Sequence, residues 1–311
     1  MATHAKQPTI TVGIPAHNEE ANIADLLRSI LAQQGDFTLE RIIVACDGCT
    51  DRTAELARAT GDGRVEVRDD GKRLGKATRL NELYAANTSE LLLTLDGDIL
   101  ISSDREVGRM AALFVRDPEA QLAVSHVEPV LPEQAGFVAK VLYTNYVIWN
   151  AIVNPLHGGD HVHNVHGPAS ILRRSFAATV RYPEHITCDE GFLYLKAKEL
   201  NGFRYAGDVS VYTHPLTTLG DVSVGVPRVL NERLDLVPYF GPSVLAMYHV
   251  PFAAKVRGVL SVFMRHPILT AGALAYNGWI KLAFRKNSGL GSGVWEQVRS
   301  TKRSVIESIK N

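Results

Sequence analysis

Two carboxylates, Asp96 and Asp98, flank a single glycine directly after the apolar run Leu91-Leu92-Leu93-Thr94-Leu95. A run of that length bounded by polar residues is read as a buried strand. In an open α/β sheet, ligands bind outside the carboxyl ends of the strands, which is where these acids stand. Two acids so placed can hold one hard divalent cation, because such ions prefer oxygen donors. The plain alternative is a solvated turn, since Asp-Gly is also a common turn dipeptide.

Three further groups of residues bear on that choice. Pro15-Ala16-His17-Asn18-Glu19-Glu20 follows an alternating segment, Thr9 to Ile14, that has the period of a strand and that Pro15 is expected to stop. Asn18 is a plausible helix N-cap there, with the two glutamates in the first turn where the helix dipole favours them. Asp47-Gly48-Cys49-Thr50-Asp51 follows the apolar segment Arg41 to Cys46, and Asp189-Glu190 opens a helix that Asn201-Gly202 closes. A basic loop, Gly71-Lys72-Arg73-Leu74-Gly75-Lys76, opens another helix, and either Lys72 or Lys76 could meet a phosphate.

The elements that must position these groups alternate. Strand 9–14, a helix carrying Ile23, Leu26, Leu27, Ile30 and Leu31, strand 41–46, a helix at 52–59, a short strand at 64–68, a helix after Lys76 and strand 91–95 follow one another. Such alternation indicates a parallel sheet wrapped by helices, with every strand's carboxyl end on one edge. Pro15 to Glu20, Asp47 to Asp51 and Asp96 to Asp98 then become neighbours in space. Further on, the pattern predicts a strand at 121–127, a helix at 137–153, a histidine-rich loop at 157–167, a strand at 169–173, a helix to about Leu200, a strand at 205–214 and a helix at 218–234.

The 311 residues, 46% hydrophobic and 21% charged, describe a folded protein with room for a sizeable core. The formal net charge of zero hides an asymmetry: from Leu236 onward there are ten Lys or Arg and two acids, against 23 basic and 31 acidic residues before it. An acidic body with a basic tail suggests a tail that meets an anionic surface. Leu236 to Ala254 and Pro267 to Ile280 carry no charge, but the first is broken by prolines and the second has 14 residues, short of the ~20 that a spanning helix needs. Lys255, Arg257, Arg265, Lys281, Arg285 and Lys286 flank these runs, and Tyr276, Trp279 and Trp295 suit a membrane–water boundary. Segments lying in the interface on anionic headgroups are the expectation. Three cysteines, Cys46, Cys49 and Cys188, form no disulfide framework and point to a reducing compartment. The polar start, Met1 to Gln7, contains no apolar region of signal-peptide type.

Taken in order, the motifs resemble family 2 glycosyltransferases of the GT-A fold. Ile14-Pro15-Ala16-His17-Asn18-Glu19-Glu20 is similar to the start of that family. Asp47-Gly48-Cys49-Thr50-Asp51 resembles its Asp-Gly-Ser-x-Asp turn, and Gly75-Lys76-Ala77 through Leu80-Asn81 its Gly-Lys-x-x-x-Leu-Asn segment. Asp96-Gly97-Asp98 resembles its metal-binding Asp-x-Asp, and Gly167-Pro168-Ala169 through Arg174 its acceptor-side strand. The resemblance covers about residues 8–235. It implies a GT-A domain over 1–235, with a nucleotide-sugar half at about 8–120 and an acceptor half at about 121–235, followed by a helical, membrane-associating tail over 236–311.

It further implies an inverting enzyme that uses Mg2+ or Mn2+ to transfer sugar from a UDP- or GDP-sugar to a hydroxyl. Pro15, Ala16, Asn18, Glu20, Asp47, Lys76 and Asp96 would bind the donor; Asp96 and Asp98, with His214 as a third ligand, would hold the metal. His166 and Gly167 would border the acceptor. The family carries Glu-Asp where this chain has Asp189-Glu190, so either acid could be the base. The basic, aromatic tail points to a lipid-linked or cell-envelope glycan acceptor at the cytoplasmic face of the cell membrane. The family's Gln-x-x-Arg-Trp is missing, although Arg228 and Arg233 fall in that region, which argues against a processive synthase. Two rivals come from other classes. A nucleotide-binding oxidoreductase would need Gly-x-Gly-x-x-Gly after the first strand, and none is there. A membrane-attached scaffold of the same fold without catalysis is the second. No recognised nucleic-acid motif accompanies the basic tail.

Overall fold

The structure is a computed structural model that describes residues 7–184, 186–284 and 302–309, without the side chains at 227–232, 307 and 309. Arg285, Lys286, Trp295 and the side chain of Arg228 therefore lie outside the described residues.

The first half is the alternating unit that the hydrophobic pattern predicts. Strands β1 (Thr9–Ala16), β2 (Thr38–Cys46), β3 (Val65–Asp69) and β4 (Leu91–Leu95) are separated by helices α1 (Ile23–Leu31), α2 (Thr53–Arg58) and α3 (Lys76–Ala86). After β4 come β5 (Ile99–Ile101), α4 (Glu106–Arg116), β6 (Leu122–Pro129) and α5 (Phe137–Val153). Next are β7 (Ala169–Arg173), α6 (Arg174–Ala177), α7 (Asp189–Glu199) and β8 (Phe203–Thr213). The described elements after β8 are helices: α8 (Leu219–Asn231), α9 (Val237–Phe240), α10 (Val244–Met247), α11 (Phe252–Phe263), α12 (Pro267–Ala283) and α13 (Val305–Ile309).

All eight strands form one sheet in the order β3-β2-β1-β4-β7-β6-β8-β5. β1 to β4 are parallel, β7 runs antiparallel to both β4 and β6, and β8 is parallel to β6. The reversal at β7 matters for the site. An antiparallel neighbour brings its amino end, not its carboxyl end, to the carboxyl end of β4. The loop entering β7 thus lies against Asp96, whose N–H donates to the Pro168 carbonyl at 3.0 Å.

The sheet is covered on both faces, and β4 shows why its leucines are continuous. Leu91, Leu93 and Leu95 face α1 and α4 through Leu26, Leu27, Ile30, Met110 and Phe114. Leu92 faces the other way, toward Leu80 and Leu83 of α3 and Phe192 and Leu193 of α7. Each fully buried leucine contributes about 2 kcal/mol of apolar burial, so this strand is held firmly enough to present two acids at its end. Leu236 and Val244 pack into the same core as α7, so the division at 235/236 falls inside packed structure. α11 and α12 pack on α5 around Ile152, Val153, Ala254, Val262 and Ala273. No helix among the described residues is long and apolar enough to cross a membrane.

Three local expectations change. β1 continues through Pro15, which pairs with Ala45 of β2. Pairing of β1 with β4 ends at Gly13 and Thr94, so the missing Pro15 N–H has no ladder partner to forfeit on that side. Asn18 is not a helix cap: it adopts a left-handed φ of 55°, and α1 begins only at Ile23. Asn18 Oδ1 instead accepts from the Thr50 N–H at 2.8 Å, tying the β1 loop to the β2 loop. β5, only three residues long, is absent from the pattern because a strand so short carries no period; it pairs antiparallel with β8.

Candidate active site

The carboxyl ends of β1, β2 and β4 and the amino ends of β7 and α7 meet at one edge of the sheet. The most crowded point is Gly167. A Cβ there would sit 2.6 Å from Glu190 Oε1, 2.7 Å from Lys76 Nζ and 3.3 Å from Asp96 Oδ2. Any side chain there would push these groups aside, and they are three of the side chains that the motifs singled out. Lys76 Nζ bridges Asp96 Oδ1 at 2.9 Å and Asp189 Oδ2 at 3.3 Å. Burial works against the Lys76 ammonium, yet Asp189, Asp96 and Glu190 together hold its pKa well above the usual lysine value. Burial pushes the Asp96 carboxyl up, and Lys76 moderates the shift.

Asp189 is almost fully buried, and its Oδ1 has no hydrogen-bond partner among the described residues. Glu190 is only partly buried and lines the cleft together with Pro15, Thr94, Tyr84 and Tyr182. Asn81, the last residue of the lysine-bearing motif, has a structural task. Its side chain accepts from the Tyr182 N–H at 2.8 Å and donates to the Tyr182 carbonyl at 2.9 Å, so α3 clamps the segment before α7. The Tyr84 and Tyr182 hydroxyls are 3.0 Å apart across the same floor.

Asp98 stands a short step away from this cluster. The glycine before it is again a matter of space, for a Cβ on Gly97 would lie 2.7 Å from Glu19 Cγ. Glu19 and Asp98 share one cation, the Lys302 ammonium: it bonds Glu19 Oε1 and lies 3.3 Å from Asp98 Oδ2. Glu19 is buried, its Oε2 accepts no hydrogen bond within normal geometry among the described residues, and burial with the nearby Asp98 charge pushes its carboxyl up to about 8. Oxygen donors that already gather a cation, with one carboxylate oxygen left over, suit Mg2+ or Mn2+. Mg2+ is usually held by one or two carboxylates with waters and phosphates completing its shell.

On the other side, Asp47 is turned onto the basic loop. Its carboxylate accepts from the N–H groups of Leu74 at 2.7 Å and Gly75 at 3.1 Å, and meets Arg73 Nη1 at 3.2 Å and Arg79 Nε at 3.2 Å. His17 Nδ1 donates to the Asp47 carbonyl at 2.8 Å. Glu20 and Asp51 latch the two loops together: the Glu20 N–H donates to Asp51 Oδ2 at 3.0 Å, and Glu20 Oε2 accepts from the Arg52 N–H at 3.2 Å. Ala16 is buried at the end of β1, where its carbonyl accepts from the Asp47 N–H at 2.8 Å. Ala16 and Glu20 therefore hold the loops after β1 and β2 together.

His214 requires a correction. It lies at the end of β8 with both ring nitrogens against backbone carbonyls, Val130 O and Ser304 O, each at 3.2 Å. In this arrangement neither nitrogen points at Asp96 or Asp98, and the described residues contain no group of three or more side chains placed to hold a metal. His166 is partly buried and neutral, its pKa pushed down to about 4 by burial and by the neighbouring His126 and His163. His161 and His163 stack with ring centroids 5.2 Å apart and face the carbonyls of His249 and Tyr248, so they anchor the loop to the tail.

The sequence model of Glycosyl transferase family 2 matches residues 11–180, more than half of the chain, and takes in the ends of β1, β2, β4 and β7 at this edge but not the amino end of α7 with Asp189 and Glu190. The chain belongs to glycosyl transferase family 2. Among curated relatives, 4,4'-diaponeurosporenoate glycosyltransferases of Staphylococcus aureus are 46% identical over 93 residues and 47% identical over 92, in each case 29% of this chain. The chain spans about a quarter, 24%, of the length of these relatives. Glucosyl-3-phosphoglycerate synthase from Mycobacterium tuberculosis, solved with Mn2+, UDP and glucosyl-3-phosphoglycerate, superposes with a TM-score of 0.53 at 20% identity, over 74% of this chain and 79% of that one. A mannosyltransferase from Pyrobaculum calidifontis, solved with GDP-mannose and Mn2+, superposes with a TM-score of 0.56 at 16% identity, over 98% of this chain and 86% of that one. These likenesses establish the GT-A fold for the family 2 chain. Lys302, Arg73 and Glu19 are the site residues that the motifs did not single out. Lys302 lies far from every motif, and Glu19 is visible only as one of two adjacent glutamates.

Proposed function

We propose that this family 2 glycosyltransferase moves one sugar from a UDP- or GDP-sugar to the hydroxyl of a lipid-linked or cell-envelope glycan, with inversion at the anomeric carbon. The observation that carries this reading is the convergence of Asp96, Lys76, Glu190 and Gly167 at one point, with Asp98 beside it. Pro15, Ala16 and Asn18 wall the nucleotide, and a base ring reaching Asp47 takes the place of Arg73 on Oδ2. Asp98, with Asp96 and Glu19 near it, would hold Mg2+ or Mn2+. When bound, that ion supplies a Lewis acid that stabilises the charge of the departing diphosphate. Lys76 places a fixed positive charge beside Asp96 and can meet a phosphate oxygen or a sugar hydroxyl.

The acceptor enters past Gly167 and His166, and Glu190 takes the proton of its hydroxyl. Glu190 suits that role better than Asp189, because a base must be reachable from the acceptor side. Asp189 is buried and paired with Lys76, so it positions rather than reacts. A single base facing the leaving group is the arrangement for inversion.

The tail supports a membrane-facing acceptor. Phe252, Met264, Ile268 and Leu282 are 74–80% exposed along α11 and α12. Lys255 and Arg257 on α11, Lys281 on α12 and Arg265 in the turn between them are also exposed. Exposed apolar side chains fringed by cations suit the headgroup region of an anionic membrane, and the polar site would work at the cytoplasmic face. The test is donor binding and turnover over a panel of UDP- and GDP-sugars with Mn2+. Asp98→Ala should abolish both, and turnover at the wild-type rate by that variant would refute the assignment. No nucleotide binding with metal present would instead favour a scaffold without catalysis.

A further inference from the structure

The motifs explain why Asp98 is where it is, but they do not explain Lys302, 204 residues later in the chain. Its ammonium bonds Glu19 Oε1 and lies 3.3 Å from Asp98 Oδ2. The residues next to it are also fixed. The Ser304 carbonyl faces His214 Nε2 at 3.2 Å, the Val305 N–H donates to Asn22 Oδ1 at 3.2 Å, and the Val305 side chain is buried. Arg303, between these anchors, is exposed. One short segment thus covers the two carboxylates at the β1 and β4 ends and one ring nitrogen of His214, Nε2. An ammonium and a divalent cation cannot share the same pair of carboxylates: they repel each other and need the same oxygen lone pairs.

We propose that Lys302 is a tethered counter-ion that holds the Glu19–Asp98 position in the empty enzyme and is displaced by the divalent cation that enters with the donor. Displacement of residues 302–305 would also uncover His214 Nε2. The inference rests on the metal reading of Asp98 given above. It makes the carboxyl-terminal segment a competitor of the metal and gives the resting enzyme a neutralised site without any bound ion.

The experiment measures Mn2+ affinity of the full chain without donor, by the paramagnetic signal of free Mn2+, for the wild type, Lys302→Ala and Arg303→Ala. If the segment occupies the site in most molecules, removing the ammonium should tighten Mn2+ binding roughly tenfold, because the competent fraction rises accordingly. Arg303→Ala should bind as the wild type does. In the wild type, saturating Mn2+ with UDP should accelerate tryptic cleavage at Lys302 and Arg303, followed by mass spectrometry; this second readout stands even if Lys302→Ala fails to fold. Equal or weaker Mn2+ binding by Lys302→Ala overturns the proposal, as does a cleavage rate unmoved by Mn2+ and UDP. Absence of Mn2+ binding in all three proteins both without UDP and with saturating UDP overturns the metal reading itself, and is thereby distinguishable from the failure of the exchange alone.

Discussion

Lys76, the first residue of α3, lies 3.3 Å from the Oδ2 of Asp189, the first residue of α7, and so ties together two helices on the same face of the sheet. Both side chains are largely buried. Breaking a buried pair from one side leaves an uncompensated charge, which is costlier than losing the pair as a whole. Lys76→Met should therefore lower stability by about 3 kcal/mol, read as a shifted denaturant midpoint, and should abolish turnover because Asp96 loses its partner too. Lys76→Arg keeps the charge but cannot fit between Gly167 and Asp96, and should fold with activity reduced at least about tenfold.

The two acids at the head of α7 separate by burial. Glu190→Gln removes the proposed proton acceptor while leaving the shape of the cleft, so kcat should fall about 100-fold to 10,000-fold with donor binding preserved. Asp189→Asn removes the charge beside Lys76, and its effect should show first in thermal stability. If Asp189→Asn kept its stability and lost kcat while Glu190→Gln stayed active, the roles would be reversed.

How far the chain could be read without coordinates follows from where its information is local. β4, α3 and α5 were legible because burial imposes period and length on contiguous residues, and the strand-end acids because their neighbours are fixed by parallel topology. Asn18 was misread as a cap because its real partner, the Thr50 N–H, belongs to another loop. The engagement of Asp47 by Arg73 and Arg79, and of Asp98 by Lys302, depends on tertiary approach between distant segments. No pattern of spacing encodes such contacts. The burial of Asp189 and partial exposure of Glu190, on which the proposed base rests, likewise depend on tertiary packing.

Gly167 offers a narrow test of the cluster. Its added Cβ would press on Glu190, Lys76 and Asp96 at 2.6, 2.7 and 3.3 Å, and all three are ends of side chains that can swing aside. Gly167→Ala should therefore fold with a modest loss of stability, about 1–2 kcal/mol, but with turnover reduced far more than that loss would suggest, because the displaced atoms are those proposed to act on donor and acceptor. Turnover within twofold of the wild type would show that these groups are not held at a working geometry.

Acid should loosen the histidine loop. Burial, aided by the His161 charge, pushes the His163 pKa down to about 4, against an ordinary value of 6.5. The folded ring thus binds a proton less readily than the unfolded one, so its contribution to stability is intact above pH 6.5 and is lost as pH falls toward 4. His163→Phe keeps the edge contacts with Trp149 and Tyr248 but does not titrate. The melting temperature of the wild type should fall between pH 6.5 and 4, and that of His163→Phe should fall less steeply. Parallel curves would mean that His163 does not carry the acid sensitivity.

The membrane reading is best tested on the exposed face of α11 and α12. Truncation after Leu236 would strip Val244 and its neighbours from the core shared with α7, so loss of binding by the truncated chain would not distinguish docking from unfolding. Met264, Ile268 and Leu282 are 74–80% exposed, so replacing all three with serine removes apolar contact area from the proposed docking face without touching the core. Vesicles of phosphatidylglycerol and phosphatidylcholine should sediment the wild type, and the triple serine variant should bind them at least about tenfold more weakly. Lys255→Gln with Arg265→Gln should weaken binding only to vesicles that contain phosphatidylglycerol, and added salt should have the same selective effect. Donor binding with Mn2+ should remain unchanged in both variants, since neither touches the strand ends. Equal sedimentation of all three proteins would remove the membrane from the assignment and leave the glycosyltransferase site as it stands.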